Sequence, residues 1–388
     1  MLNESLSNLD ENFLRKLCDD HCPESSTLDF KRELPRNGEG EKNELLKDVC
    51  ALANADGGDL VYGIAEINGA ASELIAITNE AADAVKRRIS QVLDGLEPRV
   101  QGIRLQEITV ANGYVLVIRV PASFDGPHCI YNINKQRRFV MRNGTSTSDL
   151  NYDQLRTAFD RTASLAEQAR RFISGRLQLI IDKNTPKPLK FGSLLVVHLV
   201  PILGFTGKKT VDLNALYLHE YSKFKGSNWS TPDRAFNLDG LFIFDRSIEF
   251  ECCGYSHIFR TGAIESAGYG GKGVVFSRAM SKFFHDMSNL LIKQAADWDF
   301  TGPAVLSIAV LNVDGCKLRI GKDPFIQDSH TIVDRPHLII PPVWLENIET
   351  TKIDIVLRPM LDILWQAFGE ERCLDFDPST GDFRLRPK

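Results

Sequence analysis

Between residues 43 and 64 the chain changes its apolar period. Asn43 to Ala55 carries Leu45, Leu46, Val49, Leu52 and Ala53 at helical spacing, Asp56-Gly57-Gly58 interrupts it, and Leu60-Val61-Tyr62-Gly63-Ile64 follows as an apolar strand. A helix that turns through two glycines into a buried strand must pack on the sheet that strand joins, so the fold class is α/β (α+β) with a mixed sheet. The flanking segments agree. Phe13, Leu14 and Leu17 behind an Asp10 cap predict a short helix ending before Pro23, and residues 26–34 alternate as a strand. Glu80 to Leu93 predicts a second helix, with Lys86, Arg87 and Arg88 opposite its apolar side. Strands are expected near 103–110, 114–120, 128–131 and 138–142, and a long helix from about Asp149 to Arg176.

Asp182 to Lys190, with two prolines among lysines, reads as a linker. The expected domains are therefore residues 1–181, with a core at 20–160 and a trailing helix, and residues 191–388, a second α+β domain of unknown fold. A chain of 388 residues that is 43% hydrophobic has apolar material for two cores. In the second half, buried strands are expected within 194–203, 241–245 and 304–313, and helices over 277–295 and 352–368. Its histidines show no metal-ligand spacing and it has no nucleophile elbow, so a regulatory or partner-binding role is the expectation for 191–388.

Net charge is −5, divided as 22 basic against 26 acidic residues in 1–181 and 24 against 25 beyond. Nucleic-acid binding must then rest on local patches, and the candidates are Lys86, Arg87, Arg88, Lys135, Arg137, Arg138 and Arg142. Tyr131, Phe139 and Tyr152 lie close to these in sequence and could stack on bases. Each cluster also fits a solvated face. Eight scattered cysteines suit reduced thiols, and no run of about 20 apolar residues suggests a membrane span, so a cytoplasmic protein is expected. ATP is not expected: the nearest approach to a phosphate loop, Gly270-Gly271-Lys272-Gly273, departs from the pattern right after the lysine. Residues 268–273 read instead as a loop before the helix that starts at Ser277.

The chemistry-bearing constellation is Glu24, Asp29 and Lys31 around one strand and Glu66 at the end of the next. Three carboxylates brought together this way bind Mg²⁺ or Mn²⁺ through oxygen, and such an ion polarises a phosphodiester; a lysine beside them neutralises phosphate charge. Without that convergence the acids are solvated strand flanks and a turn residue.

Glu24-Ser25 with Asp29-Phe30-Lys31, the segment Ala53 to Ile64 (ANADGGDLVYGI), and Val140 to Leu150 (VMRNGTSTSDL) together resemble the Schlafen AlbA-type domain, over about residues 20–160. The resemblance implies a metal-dependent endoribonuclease acting on structured RNA such as tRNA, with Glu24, Asp29 and Glu66 as metal-binding and catalytic acids and Lys31 beside them. By analogy it also implies a role in antiphage defence, and a homodimer that completes a nucleic-acid cleft. Two positions depart from the family pattern: Asp29 stands where a glutamate is typical, and Glu66 where an aspartate is. A non-catalytic DNA- or RNA-binding regulator is the alternative, and no membrane partner is expected.

Overall fold

The computed structural model describes the chain except residues 3–5, 124–125, 132–135, 208, 227–228, 230, 247–249, 301, 321–332 and 386–388, and the side chains of 7 and 161–163. Lys135, a candidate cation, lies outside the described residues. The chain divides into two compact units, residues 1–164 and 165–388.

In chain order the first unit contains α1 (Glu11–Asp19), β1 (Leu28–Lys31), α2 (Glu39–Ala53), β2 (Gly58–Tyr62), β3 (Ile64–Ile67), β4 (Ala70–Leu74) and α3 (Ala82–Leu93). It continues through β5 (Leu96–Glu97), β6 (Arg104–Val110), β7 (Gly113–Val120), β8 (Cys129–Tyr131), β9 (Arg137–Arg138), β10 (Val140–Asn143) and β11 (Ser146–Asp149) into α4 (Tyr152–Ile181), which spans the division.

Its central sheet has the order β1-β2-β7-β6, with β1 and β2 parallel and the other pairs antiparallel. The alternation seen in sequence separates the two faces. Leu60, Tyr62, Leu116, Ile118 and Val120 pack with Leu46 and Val49 of α2 and Val85 and Ile89 of α3, whereas Phe30, Val61, Val115 and Val117 pack with Leu14 and Cys18 of α1. Both faces are covered, which explains the continuous apolar runs of β2 and β7. As the sequence predicts, Asp10 caps α1, accepting from the Phe13 amide at 2.8 Å.

The glycine pair has a steric cause. A Cβ on Gly57 would stand 2.6 Å from backbone atoms of Val120 and Ala122, and one on Gly58 2.6 Å from the Thr27 carbonyl, so the pair lets α2 end tightly against β7 and β1. Asn54, just before it, is buried. Its amide donates to the carbonyls of His128 (2.9 Å) and Val140 (2.8 Å) and accepts from the His128 amide at 2.7 Å, tying the end of α2 to β8 and β10.

The second unit takes the end of α4, then β12 (Ser193–Pro201), a helical turn α5 (Leu213–Ala215), β13 (Pro232–Phe236), β14 (Gly240–Asp245), β15 (Gly254–Phe259), β16 (Ile264–Gly271) and β17 (Val274–Phe276). After them come α6 (Ser277–Asp297), β18 (Ala304–Leu311), β19 (Lys317–Arg319), β20 (His337–Ile339), β21 (Val343–Leu345) and α7 (Ile353–Ala367). The main sheet is antiparallel, ordered β13-β14-β15-β16-β12-β18-β20, with β21 also on β18. Residues 268–271, read from sequence as loop, are the end of β16. Gly268 and Gly270 are small there because a Cβ would meet the ring of Phe283 at 2.9 Å and the Ser193 hydroxyl at 2.8 Å. Leu195, Val197, Leu199, Ile258 and Ile264 pack on α6 and α7.

Polar residues occupy positions in register across the middle of this sheet. His257 of β15 pairs with Glu265 of β16, which pairs with His198 of β12, all fully buried. Glu265 accepts two hydrogen bonds from Arg176 of α4 (3.0 and 2.8 Å), one from the Tyr255 hydroxyl (2.7 Å), and lies 2.9 Å from His198 Nε2. Burial pushes its carboxyl up, but the hydrogen bonds from His198 and Arg176 outweigh that and hold it below the usual carboxylate range. All eight cysteines are free thiols. Among the described residues no helix is long and apolar enough to cross a membrane.

Candidate nucleic-acid interface

Because β1 alternates, Leu28 and Phe30 face α1 while Asp29 and Lys31, two residues apart, share the side on which α2 lies. Glu24 precedes the strand, and its Oε1 accepts from the Phe30 amide at 2.8 Å. Glu66 sits on β3 at a register shift between Ala65 and Glu66, near enough to Glu24 to act on its carboxyl. The fold thus brings the three predicted acids together electrostatically. Burial raises the Glu24 carboxyl above its ordinary range; the Phe30 amide opposes this, and the charges of Asp29 and Glu66, with a hydrogen bond to Glu66, add to the rise.

Asp29 departs from its expected role. Its Oδ1 accepts from Arg142 Nη2 at 2.9 Å and its Oδ2 lies 2.6 Å from Lys31 Nζ. Among the described residues, no group of three or more His, Cys, Asp or Glu side chains is disposed to hold a metal. The geometric reason is that Asp29 is turned to two cations while Glu24 and Glu66 face each other.

Arg142 also departs from expectation as a surface phosphate contact. Its side chain is 2% exposed, on β10 over the start of β1, donating to Asp29 and to the Ser25 carbonyl. Arg88 is likewise structural, bonded bidentately to Glu80 and donating to the Pro35 carbonyl. Lys86 pairs with Glu107 at 2.7 Å across to β6. The exposed cations are Arg87, Arg137 and Arg138; Arg137 pairs with Glu97 and lies 5.5 Å over the Tyr131 ring, and Arg138 pairs with Asp149. Exposed pairs of this kind are worth little. Tyr131 and Tyr152 are exposed, whereas Phe139 packs edge-on against Phe159.

Sequence reading missed Asp48. It is an ordinary polar position in the helical pattern of α2, yet that face of α2 lies over β1. Its side chain is 7% exposed, its nearest cation, Lys31 Nζ, stands 3.6 Å away, and no described residue donates a hydrogen bond to it. Burial therefore pushes its carboxyl up to about 6; Lys31 pulls it down, Asp29 and Glu44 push it further up, and Lys47 opposes them. The folded chain holds this proton more tightly than the unfolded chain, so stability falls as pH rises from about 4 to about 6 and stays reduced above. Asp48→Asn, of the same shape, is expected to be more stable than the parent at pH 7.5 by of order 2 kcal/mol, with no gain at pH 4. Urea unfolding at the two pH values measures this, and an equal effect at both would show that the Asp48 charge is not its cause.

Residues 24–151 match the family described as Schlafen, AlbA_2, so the first unit carries a domain of a type associated with nucleic-acid binding. Among solved structures, the DIP2311 protein from Corynebacterium diphtheriae is similar at 22% identity and a TM-score of 0.23, over 32% of this chain and 22% of that one. The N-terminal domain of an ATP-dependent DNA helicase RecG-related protein from Nitrosomonas europaea is similar at 23% identity and a TM-score of 0.23, over 28% of this chain and 73% of that one. No curated protein matches the chain.

Proposed function

We propose that the first unit binds structured RNA such as tRNA and cleaves its phosphodiester backbone with the help of Mg²⁺ or Mn²⁺. One arrangement carries this reading: Glu24 and Glu66 stand together, with Asp29 and Lys31 beside them, and burial first, then the charges of Asp29 and Glu66, raise the Glu24 carboxyl. Two juxtaposed carboxylates fit a hard cation whose other ligands are water and substrate phosphate oxygens. Glu24 and Glu66 would hold the ion, which when bound supplies polarisation of the phosphodiester and offsets charge developing on its oxygens. Lys31 neutralises phosphate charge, and Asp29, fixed by Arg142, holds Lys31 in place.

Incubation of the protein with total tRNA and Mn²⁺, Mg²⁺ or EDTA tests this. Discrete fragments that require metal are expected, and Glu24→Gln should slow their formation by about 100-fold. Unchanged cleavage in that variant would remove Glu24 from the site. The second reading, a nucleic-acid-binding regulator without catalysis, is favoured by the ion pairs that occupy Asp29. It predicts salt-dependent tRNA retention on a gel with the tRNA intact in every lane.

A further inference from the structure

Beside Lys31, α2 and the segment after β1 enclose an open cleft of about 410 Å³. Leu34, Pro35, Leu45 and Tyr62 form its apolar walls and Asp48 lines it. Its other acids have partners: Glu33 pairs with Arg36, Glu44 with Lys47, and Glu41 accepts from the Arg36 amide. Asp48 is more than nine-tenths buried and lines the cleft; its ion-pair partner Lys31 stands 3.6 Å away, beyond hydrogen-bond length, and no described residue donates a hydrogen bond to it. A buried carboxylate without a hydrogen bond is costly unless a donor completes it, so the cleft is built for a ligand that donates.

The lining limits the ligand's chemistry. Four acids against Lys31 and Arg36 repel phosphate, and apolar walls suit a flat, neutral ring. For a chain that handles nucleic acid, such a ring is an unstacked base. Guanine alone among the four RNA bases presents two adjacent donors, N1–H and the exocyclic amine, which a carboxylate accepts in parallel. Adenine, cytosine and uracil each place an acceptor lone pair next to the donor on that edge, where it would face the second carboxylate oxygen. We propose that this cleft is a guanine pocket in which Asp48 reads the Watson–Crick edge, placing a guanine next to the backbone held at Lys31. This rests on the nucleic-acid reading of the first unit and adds to it a base preference.

Fluorescence anisotropy in EDTA, with short labelled oligouridylates carrying one central guanine, inosine, adenine or cytosine, tests the pocket apart from cleavage. The guanine oligonucleotide is expected to bind the wild-type protein about 10-fold tighter than the adenine or cytosine ones, with inosine, which lacks the exocyclic amine, between them. In Asp48→Asn, whose folding the pH-dependent unfolding above verifies, the four should bind within about threefold of one another. Equal affinities in the wild type, or a guanine preference of the same size in Asp48→Asn, would overturn the pocket. Failure to bind any of the oligonucleotides would overturn the pocket, while retention of total tRNA on a gel decides the nucleic-acid reading separately. Guanine-selective binding lost in Asp48→Asn, from a protein that cleaves no tRNA, would establish the pocket and remove only the nuclease.

Discussion

Arg142→Met is expected to lower the stability of the first unit by about 3 kcal/mol and to leave the salt dependence of nucleic-acid binding as it was. The guanidinium is 2% exposed and its Nη2 joins the Asp29 carboxylate to the Ser25 carbonyl, so it fastens β10 to the start of β1. Removing it leaves a buried aspartate with Lys31 as its remaining close cation. A phosphate contact would behave in the opposite way: its loss changes the slope of log affinity against log salt by about 1 and costs little stability. All four tryptophans, Trp229, Trp298, Trp344 and Trp365, belong to the second unit, so the loss should appear in the far-ultraviolet dichroism of urea unfolding and not in tryptophan emission. An altered salt slope with unaltered unfolding would return Arg142 to the nucleic-acid surface.

In the second unit, Arg176→Met is expected to cost about 3–5 kcal/mol, because it leaves the fully buried Glu265 without its bidentate partner. Tyr255 and His198 still contact the carboxylate but do not replace a permanent positive charge. The double variant Arg176→Met with Glu265→Met should recover most of the loss, since an apolar pair needs no compensation in that environment. Tryptophan emission follows this unit directly. If the double variant proved as unstable as the sum of the two single ones, the pair would be independent and the ion-pair account would be wrong.

What the sequence determined is local. The helix of α2, the glycine turn and strand β2 follow from a change of period and from glycines that no other residue could replace at those approaches. The Asp10 cap and the meeting of Glu24 with Glu66 were legible for the same reason, since short segments and a motif of fixed order position them. The tertiary structure alone decided the partners of those residues. Asp29 finds Arg142 more than a hundred residues away, and Asp48, one polar residue in an amphipathic pattern, becomes a buried acid only because β1 runs beneath it. Likewise His198, Glu265 and His257 form a row through strand register. Periodicity tells which side of an element is apolar; it carries no information about which distant element covers that side, and burial against that element is what fixes the charge state of these groups.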